Sequence, residues 1–230
     1  MTLAILPVKL NSERVHNKNF RPVGEFELGI FEIKFKQLID SESISSIMIT
    51  SDYQAVLKIA AELYEKYNST KSIHYHLRPK EYSGSCPNHE WVAYLSTQIR
   101  HIEEEDVMLC FATSPFFDEE QIDLFYTSYS KSNYDSMAVA SKLQTYIWRD
   151  GKPFNYDKGW PITQSLSPVY VINSSAFLCK KDAFIKTQDR LHGNVGFFES
   201  TWINSCVNID YPNDFENFLL LWDSYKNFKR

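Results

Sequence analysis

Short apolar runs alternate with amphipathic stretches through the first 143 residues, and few folds accommodate that rhythm. "LAILPV", "SIMITSD", "SIHYHLRP", "DVMLCFATSP" and "DSMAVASKL" each read as a strand. Between them, "IFEIKFKQLI" spaces Ile30, Ile33, Phe35, Leu38 and Ile39 at roughly helical intervals. "YQAVLKIAAELYEKY" puts Val56, Ile59, Ala60 and Leu63 on one helical face. "NHEWVAYLSTQIRHI" is a third helix with Asn88 as its expected N-cap. "DEEQIDLFYTSYSK" is a fourth, opened by Asp118 with acids in its first turn, where the helix dipole favours them. Repeated strand–helix–strand units require parallel strands with right-handed crossovers. The expected class is therefore α/β, a mainly parallel sheet with helices on both faces.

After residue 143 the rhythm changes. "YIWRDGKPFNYD" reads as a hairpin around Asp150-Gly151. "SPVYVINSSAFLCKK" is strand-like, "CVNIDYP" reads as a short strand, and "PNDFENFLLLWDSYKNF" as a closing helix with Pro212 near its start. The acidic run from Glu103 to Asp106 reads as a solvated helix end. No Gly/Ser linker, low-complexity tract or repeat divides the chain, so one domain over residues 1–230 is expected.

Composition narrows the function classes. A net charge of -5 argues against a general nucleic-acid binder, though not against a local basic pocket. Cys86, Cys110, Cys179 and Cys206 are widely spaced and form no CxxC pair, which suits free thiols in a reducing compartment. No apolar stretch reaches membrane-spanning length, and "MTLAILPVKL" lacks a long apolar core. A soluble, cytoplasmic protein is expected.

In open parallel sheets, ligands sit outside the carboxyl ends of the strands. That rule groups the first loop, "KLNSERVHNKN", with the ends of "MITSD", "RPKEYSG" and "ATSPFF", and with "NIDYPNDFE" if its strand runs parallel. The first loop carries Lys9, Arg14 and Lys18 among Asn11, Ser12 and Asn17, and either is a solvated surface loop or folds around a polyanion. It has neither GxxxxGK[ST] nor GxGxxG, which disfavours a P-loop NTPase and a dinucleotide oxidoreductase. With seven glycines in the whole chain, phosphate would be gripped by side chains. His74 and His76 alternate on one strand, but no third ligand at zinc spacing completes a site. His16 lies in the cationic loop, to meet phosphate or solvent. Trp91, Trp148 and Trp160 are packing residues by default. No GxSxG elbow is present for a serine nucleophile.

These segments, in their order, resemble the acylneuraminate cytidylyltransferases, the CMP-sialic acid synthetases. "ILPVKLNSERVHNKNF" is similar to the family's opening, with Ser12, Glu13, Arg14, Val15, Lys18 and Asn19 matching and Lys9 where Arg is usual. Thr50 to Asp52 resembles a Ser-Thr-Asp turn, and Arg78 to Glu81 an Arg-Pro-x-Glu turn. "ATSPFFDEEQID", "PVYVINSSAFL" and "VNIDYPNDFENF" resemble three further family segments, and the resemblance spans nearly the whole chain. Leu143, Gln144, Thr145, Trp148, Gly151, Pro153, Asn155 and Asp157 match a less characterised branch carrying "LQT..W...G.P.N.D".

The resemblance implies a Rossmann-like nucleotidyltransferase fold and transfer of CMP from CTP to the hydroxyl of a 2-keto-3-deoxy or nonulosonic sugar acid, in surface-glycan synthesis. Pyrophosphate leaves and Mg²⁺ assists. Lys9, Arg14 and Lys18 are implied as catalytic cations, and Ser12, Asn19, Arg78, Ser83 and Asn88 as CTP-binding. Thr113, Ser114, Gln144, Tyr170 and Asn173 are implied for the acceptor. Asn208 and Asp210 stand where the family has two acids for the metal; Asp210 alternatively caps the last helix. Asp214 reads as a helix N-terminal acid. A homodimer is implied through residues 140–170, with Tyr146, Trp148 and Trp160 as interface candidates. The acceptor side departs from the family: Phe111 replaces a Gln, Phe117 an Arg, and Ser174-Ser175 a Gly-Ala pair. A different anionic acceptor, a nucleotide-sugar glycosyltransferase and a non-catalytic nucleotide-binding relative remain alternatives. The second usually shows a mid-chain Asp-x-Asp that this chain lacks.

Overall fold

Strand β1 (Thr2–Pro7) is buried along most of its length because it has neighbours on both sides. β2 (Ile44–Ser51) and β4 (Asp106–Cys110) both pair with it in parallel. β3 (Ser72–Leu77) extends the sheet beyond β2 as an edge. The amphipathic stretches form α1 (Gly29–Asp40), α2 (Gln54–Tyr67), α3 (Asn88–Gln98) and α4 (Glu119–Ser130). β5 (Ser136–Leu143) follows, then a hairpin of β6 (Trp148–Arg149) and β7 (Lys152–Pro153). β8 (Val169–Lys180), α5 (Lys181–Thr187), β9 (Val195–Glu199), α6 (Trp202–Cys206) and α7 (Pro212–Lys229) complete the chain. The computed structural model describes residues 1–12, 14–83, 86–157 and 159–229, of which 205, 206, 228 and 229 by backbone alone.

The sheet order is β3-β2-β1-β4-β8-β5-β9. β8 runs antiparallel to both its neighbours, and every other pairing is parallel. The mainly parallel α/β class is as the strand–helix rhythm predicts. The larger core, with Phe31, Phe35, Phe116, Phe125, Phe218 and Trp222, fills one face beneath α1, α2, α4 and α7. The smaller, with Ile5, Trp91, Leu95, Phe177 and Phe184, lies under α3 and α5.

Several local expectations change. The N-cap of α3 is Pro87, and Asn88 is the first helical residue. Proline suits the position because the helix needs no N–H there. The acidic run is not a helix end: α3 stops at Gln98, and Asp106 opens β4, buried and 2.9 Å from Lys180 Nζ. "VNID" forms no strand. It crosses the sheet end with Ile209 buried and its N–H bonded to Thr113 O at 2.9 Å. Asp214 behaves as a helix N-terminal acid, accepting from the N–H groups of Asp210 (2.9 Å) and Tyr211 (2.7 Å). Asp118 caps α4 as expected, accepting from Gln121 N–H.

The hairpin around Asp150-Gly151 is present, with φ of 52° and 75° at the turn, which a right-handed ribbon favours. It belongs to an arm braced from within. Asn155 accepts from Ile147 N–H (2.9 Å) and donates to Thr145 O (2.8 Å) and Ser167 O (3.0 Å). Cys86, Cys110 and Cys179 are free thiols, while the Cys206 side chain lies outside the described residues. Among the described residues no helix is long and apolar enough to cross a membrane.

Candidate active site

A cleft of about 660 Å³ opens at the carboxyl ends of β1, β2 and β4, where a parallel sheet places its ligands. The loop after β1 forms one wall. Val15 is buried as its plug, and Asn19 closes its neck by donating to Lys9 O at 2.8 Å. Asn17 turns the chain in the left-handed region (φ 50°), which asparagine tolerates. Lys9, Ser12, Arg14 and Lys18 consequently line the cleft. Glu13, part of the loop's family match, lies outside the described residues. His16 is exposed and does not line the cleft.

The cations of this wall meet the residues expected to hold metal. Arg14 lies 3.2 Å and Lys18 Nζ 3.6 Å from Asp210 Oδ1. Lys18 also donates to Ile209 O at 2.5 Å, and its side chain is only 12% exposed. Burial lowers the Lys18 pKa, and Asp210 pulls it back up. Asn208 donates through Nδ2 to the other Asp210 oxygen at 2.8 Å. Asp210 does not cap α7, since Asp214 takes that role.

Arg78 forms the opposite wall. It is 3% exposed, donates from Nε to Ser83 Oγ at 2.9 Å, and stands 3.8 Å from Asp52 Oδ1. Tyr82 stacks on Tyr94 at 4.0 Å, and Tyr94 OH meets His76 Nε2 at 3.1 Å. His76 Nδ1 is within 2.9 Å of Thr50 Oγ1, so both ring nitrogens are engaged in the scaffold. Burial, with Arg78 nearby, lowers the His76 pKa and favours the neutral ring. Ser83 and Asn88 reach the same cleft.

The acceptor residues expected from the sequence are dispersed. Thr113 lines the cleft. Ser114 is buried beside it, its hydroxyl without a partner among the described residues, and Asn173 folds back to accept from Ser175 N–H (3.2 Å) and Oγ (2.8 Å). Tyr170 stacks on Phe197 at 4.9 Å, and Gln144 braces the arm by donating to Gln164 O (2.9 Å) and Leu166 O (3.2 Å). Ser114, Asn173, Tyr170 and Gln144 do not line the cleft of the single chain. Phe117 is a core residue against Phe125, not a cleft residue. Phe111 does face the cleft, edge-on to Phe177, and Ser174 joins it from a left-handed position (φ 55°) at an irregularity in the β5–β8 register. Two charged lining residues were absent from the expected set, Asp52 and Arg190. Asp52 ends a turn the sequence displays; Arg190 lies in a loop with no motif.

The fit to a divalent cation can be tested on Asn208. Its Oδ1 is buried without a hydrogen-bond partner among the described residues, while Nδ2 donates to Asp210. A carbonyl oxygen beside a carboxylate suits a hard cation that completes its shell with phosphate oxygens and water. No group of three or more His, Cys, Asp or Glu side chains able to hold a metal occurs among the described residues. Asn208 and Asp210 fit Mg²⁺ as the protein's share of such a shell.

No family model matches the chain, and no curated protein does. Solved structures match it along nearly its whole length. 4-Diphosphocytidyl-2C-methyl-D-erythritol synthase from Anaerococcus prevotii aligns with a TM-score of 0.65 at 14% identity, covering 98% of this chain and 96% of that one. CMP:2-keto-3-deoxy-manno-octonic acid synthetase complexed with CTP aligns at 0.66 and 7% identity, covering 97% and 99%. A cytidylyltransferase from Leptospira borgpetersenii aligns at 0.58 and 11%, covering 95% and 84%. Identities this low speak to fold and do not single out the acylneuraminate branch that the motifs resemble. The chain has the nucleotidyltransferase fold, with its charged cleft at the carboxyl ends of the strands.

Proposed function

We propose that this chain is a CTP-dependent cytidylyltransferase that moves CMP onto a hydroxyl of an acidic sugar, of the 2-keto-3-deoxy or nonulosonic type, and releases pyrophosphate. The observation that carries this reading is the convergence of Lys9, Arg14, Lys18 and Arg78 on one cleft. Attack of the acceptor hydroxyl on the α-phosphorus breaks the bond to pyrophosphate. Entering and leaving oxygens both carry negative charge, so catalysis is positioning and charge neutralisation. Lys9 and Arg14 grip the triphosphate, Lys18 faces the α-phosphate, and Ser12 adds a neutral donor. Arg78, Ser83 and Asn88 hold the base and ribose. Asp210 meanwhile occupies two of the cations that a triphosphate would claim. Asn208 and Asp210 would hold Mg²⁺, which supplies charge neutralisation at the phosphates when bound. The protein acts as a homodimer through its arm, where Trp148, Trp160 and Ile162 are exposed.

Melting shifts with each of the four nucleoside triphosphates and Mg²⁺ test the nucleotide, since a ligand of the native state must raise stability. CTP is expected to give the largest shift, and pyrophosphate release from CTP is expected with a mixed pool of sugar acids. A preference for a purine nucleotide, or CTP binding without turnover on any acid, would overturn the corresponding half of the reading. Phe111 presents an apolar ring where a hydrogen-bonding group would serve a heavily hydroxylated acceptor. N-Acetylneuraminic acid is accordingly expected to be a poor member of the pool.

A further inference from the structure

Arg190 is a cation of the cleft that comes from the loop after α5, over the core under α3 and α5. Its guanidinium sits 4.4 Å over the Phe177 ring, and Phe111 meets the same ring edge-on at 6.3 Å. Trp91 adds a third aromatic to this end of the cleft. Arg190 makes no hydrogen bond or ion pair with any described residue, although it is half-buried. Among the described residues, the ion pairs of the cleft join Arg14 and Lys18 to Asp210 and Arg78 to Asp52. Burial lowers the Arg190 pKa, with only its neighbour Asp189 acting against that. A guanidinium remains charged regardless, so a cation with five donors lines the cleft with no acceptor among the described residues.

We infer that Arg190 binds the anionic group of the acceptor, and that Phe111 and Trp91, backed by the buried Phe177, give the same subsite an apolar floor. The inference rests on the cytidylyltransferase reading for the nucleotide half and adds the chemistry of the other half. The acceptor taken here carries an oxyanion, carboxylate or phosphate, beside a weakly hydroxylated face. Arginine suits this role because its planar fork pairs bidentately with either oxyanion. Stacking on Phe177 fixes the plane of the fork before the ligand arrives, which reduces the ordering cost of binding.

The test uses the full chain and two matched pairs of probes, each titrated in the presence of saturating CTP and Mg²⁺. One pair is a 2-keto-3-deoxy sugar acid and its methyl ester; the other is a polyol phosphate and the free polyol. Wild type is expected to bind one charged probe at least tenfold more tightly than its neutral partner, and the responding pair distinguishes carboxylate from phosphate. Arg190→Met keeps an unbranched stem over Phe177, so the floor stays covered. It is expected to lose that tenfold preference while the CTP-induced melting shift and the KM for CTP stay at wild-type values. Arg190→Lys, a cation without the fork, is expected to fall between the two. The inference is overturned if wild type shows no preference for either charged probe. It is also overturned if Arg190→Met retains the preference, or loses CTP affinity as far as probe affinity. Failure of wild type to bind CTP is a different result: it removes the nucleotide reading, while the charged-probe comparison, repeated without CTP, still reads Arg190.

Discussion

Asp210 holds Arg14 and Lys18 in a partly exposed cluster, and such contacts exchange readily because solvent competes for them. Lys18 is the more deeply set of the two cations and is bonded to Ile209 O. Lys18→Ala is expected to cut turnover by about 10²–10³, the usual effect of removing a donor aimed at developing charge. It is also expected to cost about 1–3 kcal/mol of stability, because Ile209 O loses its partner. Urea unfolding alongside steady-state rates separates the two effects, and normal turnover in the variant would remove Lys18 from the mechanism. Asn208→Asp turns an amide–carboxylate hydrogen bond into two facing carboxylates. The variant is expected to melt several degrees below wild type in chelator and to recover with Mg²⁺, as like charges demand a cation between them. Identical melting with and without Mg²⁺ would place the metal ligands elsewhere. The wall of the cleft formed by the loop after β1 was legible as a place in the fold because Lys9 to Asn19 is one local segment, tied to the end of one strand. The opposite side was not, because Gln144 lies just past the end of β5 and Tyr170 on the part of β8 beyond its pairing with β4, while Arg190 reaches in from a loop without periodicity or motif.

At the level of elements, the helices with a clear apolar stripe, α2 above all, lie where the periodicity puts them. The elements without a legible signal are short. α5 has seven residues, too few for a stripe to register, and β9 is a five-residue edge strand containing Gly196. The stretch 207–210 looks like a strand by composition because Val207 and Ile209 are buried, but it borrows that burial from α7 rather than from a ladder. α1 carries an anomaly of its own: Lys34 is fully buried in a core-facing turn and donates to Phe117 O. Burial lowers its pKa to about 8. The unfolded chain, with an ordinary lysine, therefore binds the extra proton between about pH 8 and 10.5, so Lys34 makes stability rise with pH across that window. Below pH 8 the buried charge is a constant penalty. Lys34→Met is expected to flatten that rise, by up to about 3 kcal/mol over the window. The check is unfolding free energy against pH for both proteins; parallel curves would show that Lys34 titrates normally.

For the whole molecule, the sheet order and the single antiparallel strand β8 bring β5 and β8 out together beyond the cleft, and the arm grows from them. Trp160 and Ile162 are equally exposed at 71%, but Trp160 also braces the arm through ring contacts with Tyr146 and Tyr156. Ile162→Glu should therefore leave the arm folded and separate the proposed dimer, read as a halved mass by light scattering. A monomeric wild type would remove the dimer from the account. The contacts that shape the loop after β1 and the segment behind it join residues about two hundred positions apart: Arg14 to Asp210, Lys18 to Ile209, and Glu25 to Lys226. Contacts of such separation form late, since the intervening chain must first be gathered. On refolding, CTP binding is expected to return with the docking of α7, after far-UV circular dichroism has largely recovered; simultaneous return would show the loop to be self-sufficient. During synthesis the loop after β1 emerges well before the segment that fastens it, so Arg14 and Lys18 spend that interval without Ile209 and Asp210 to hold them.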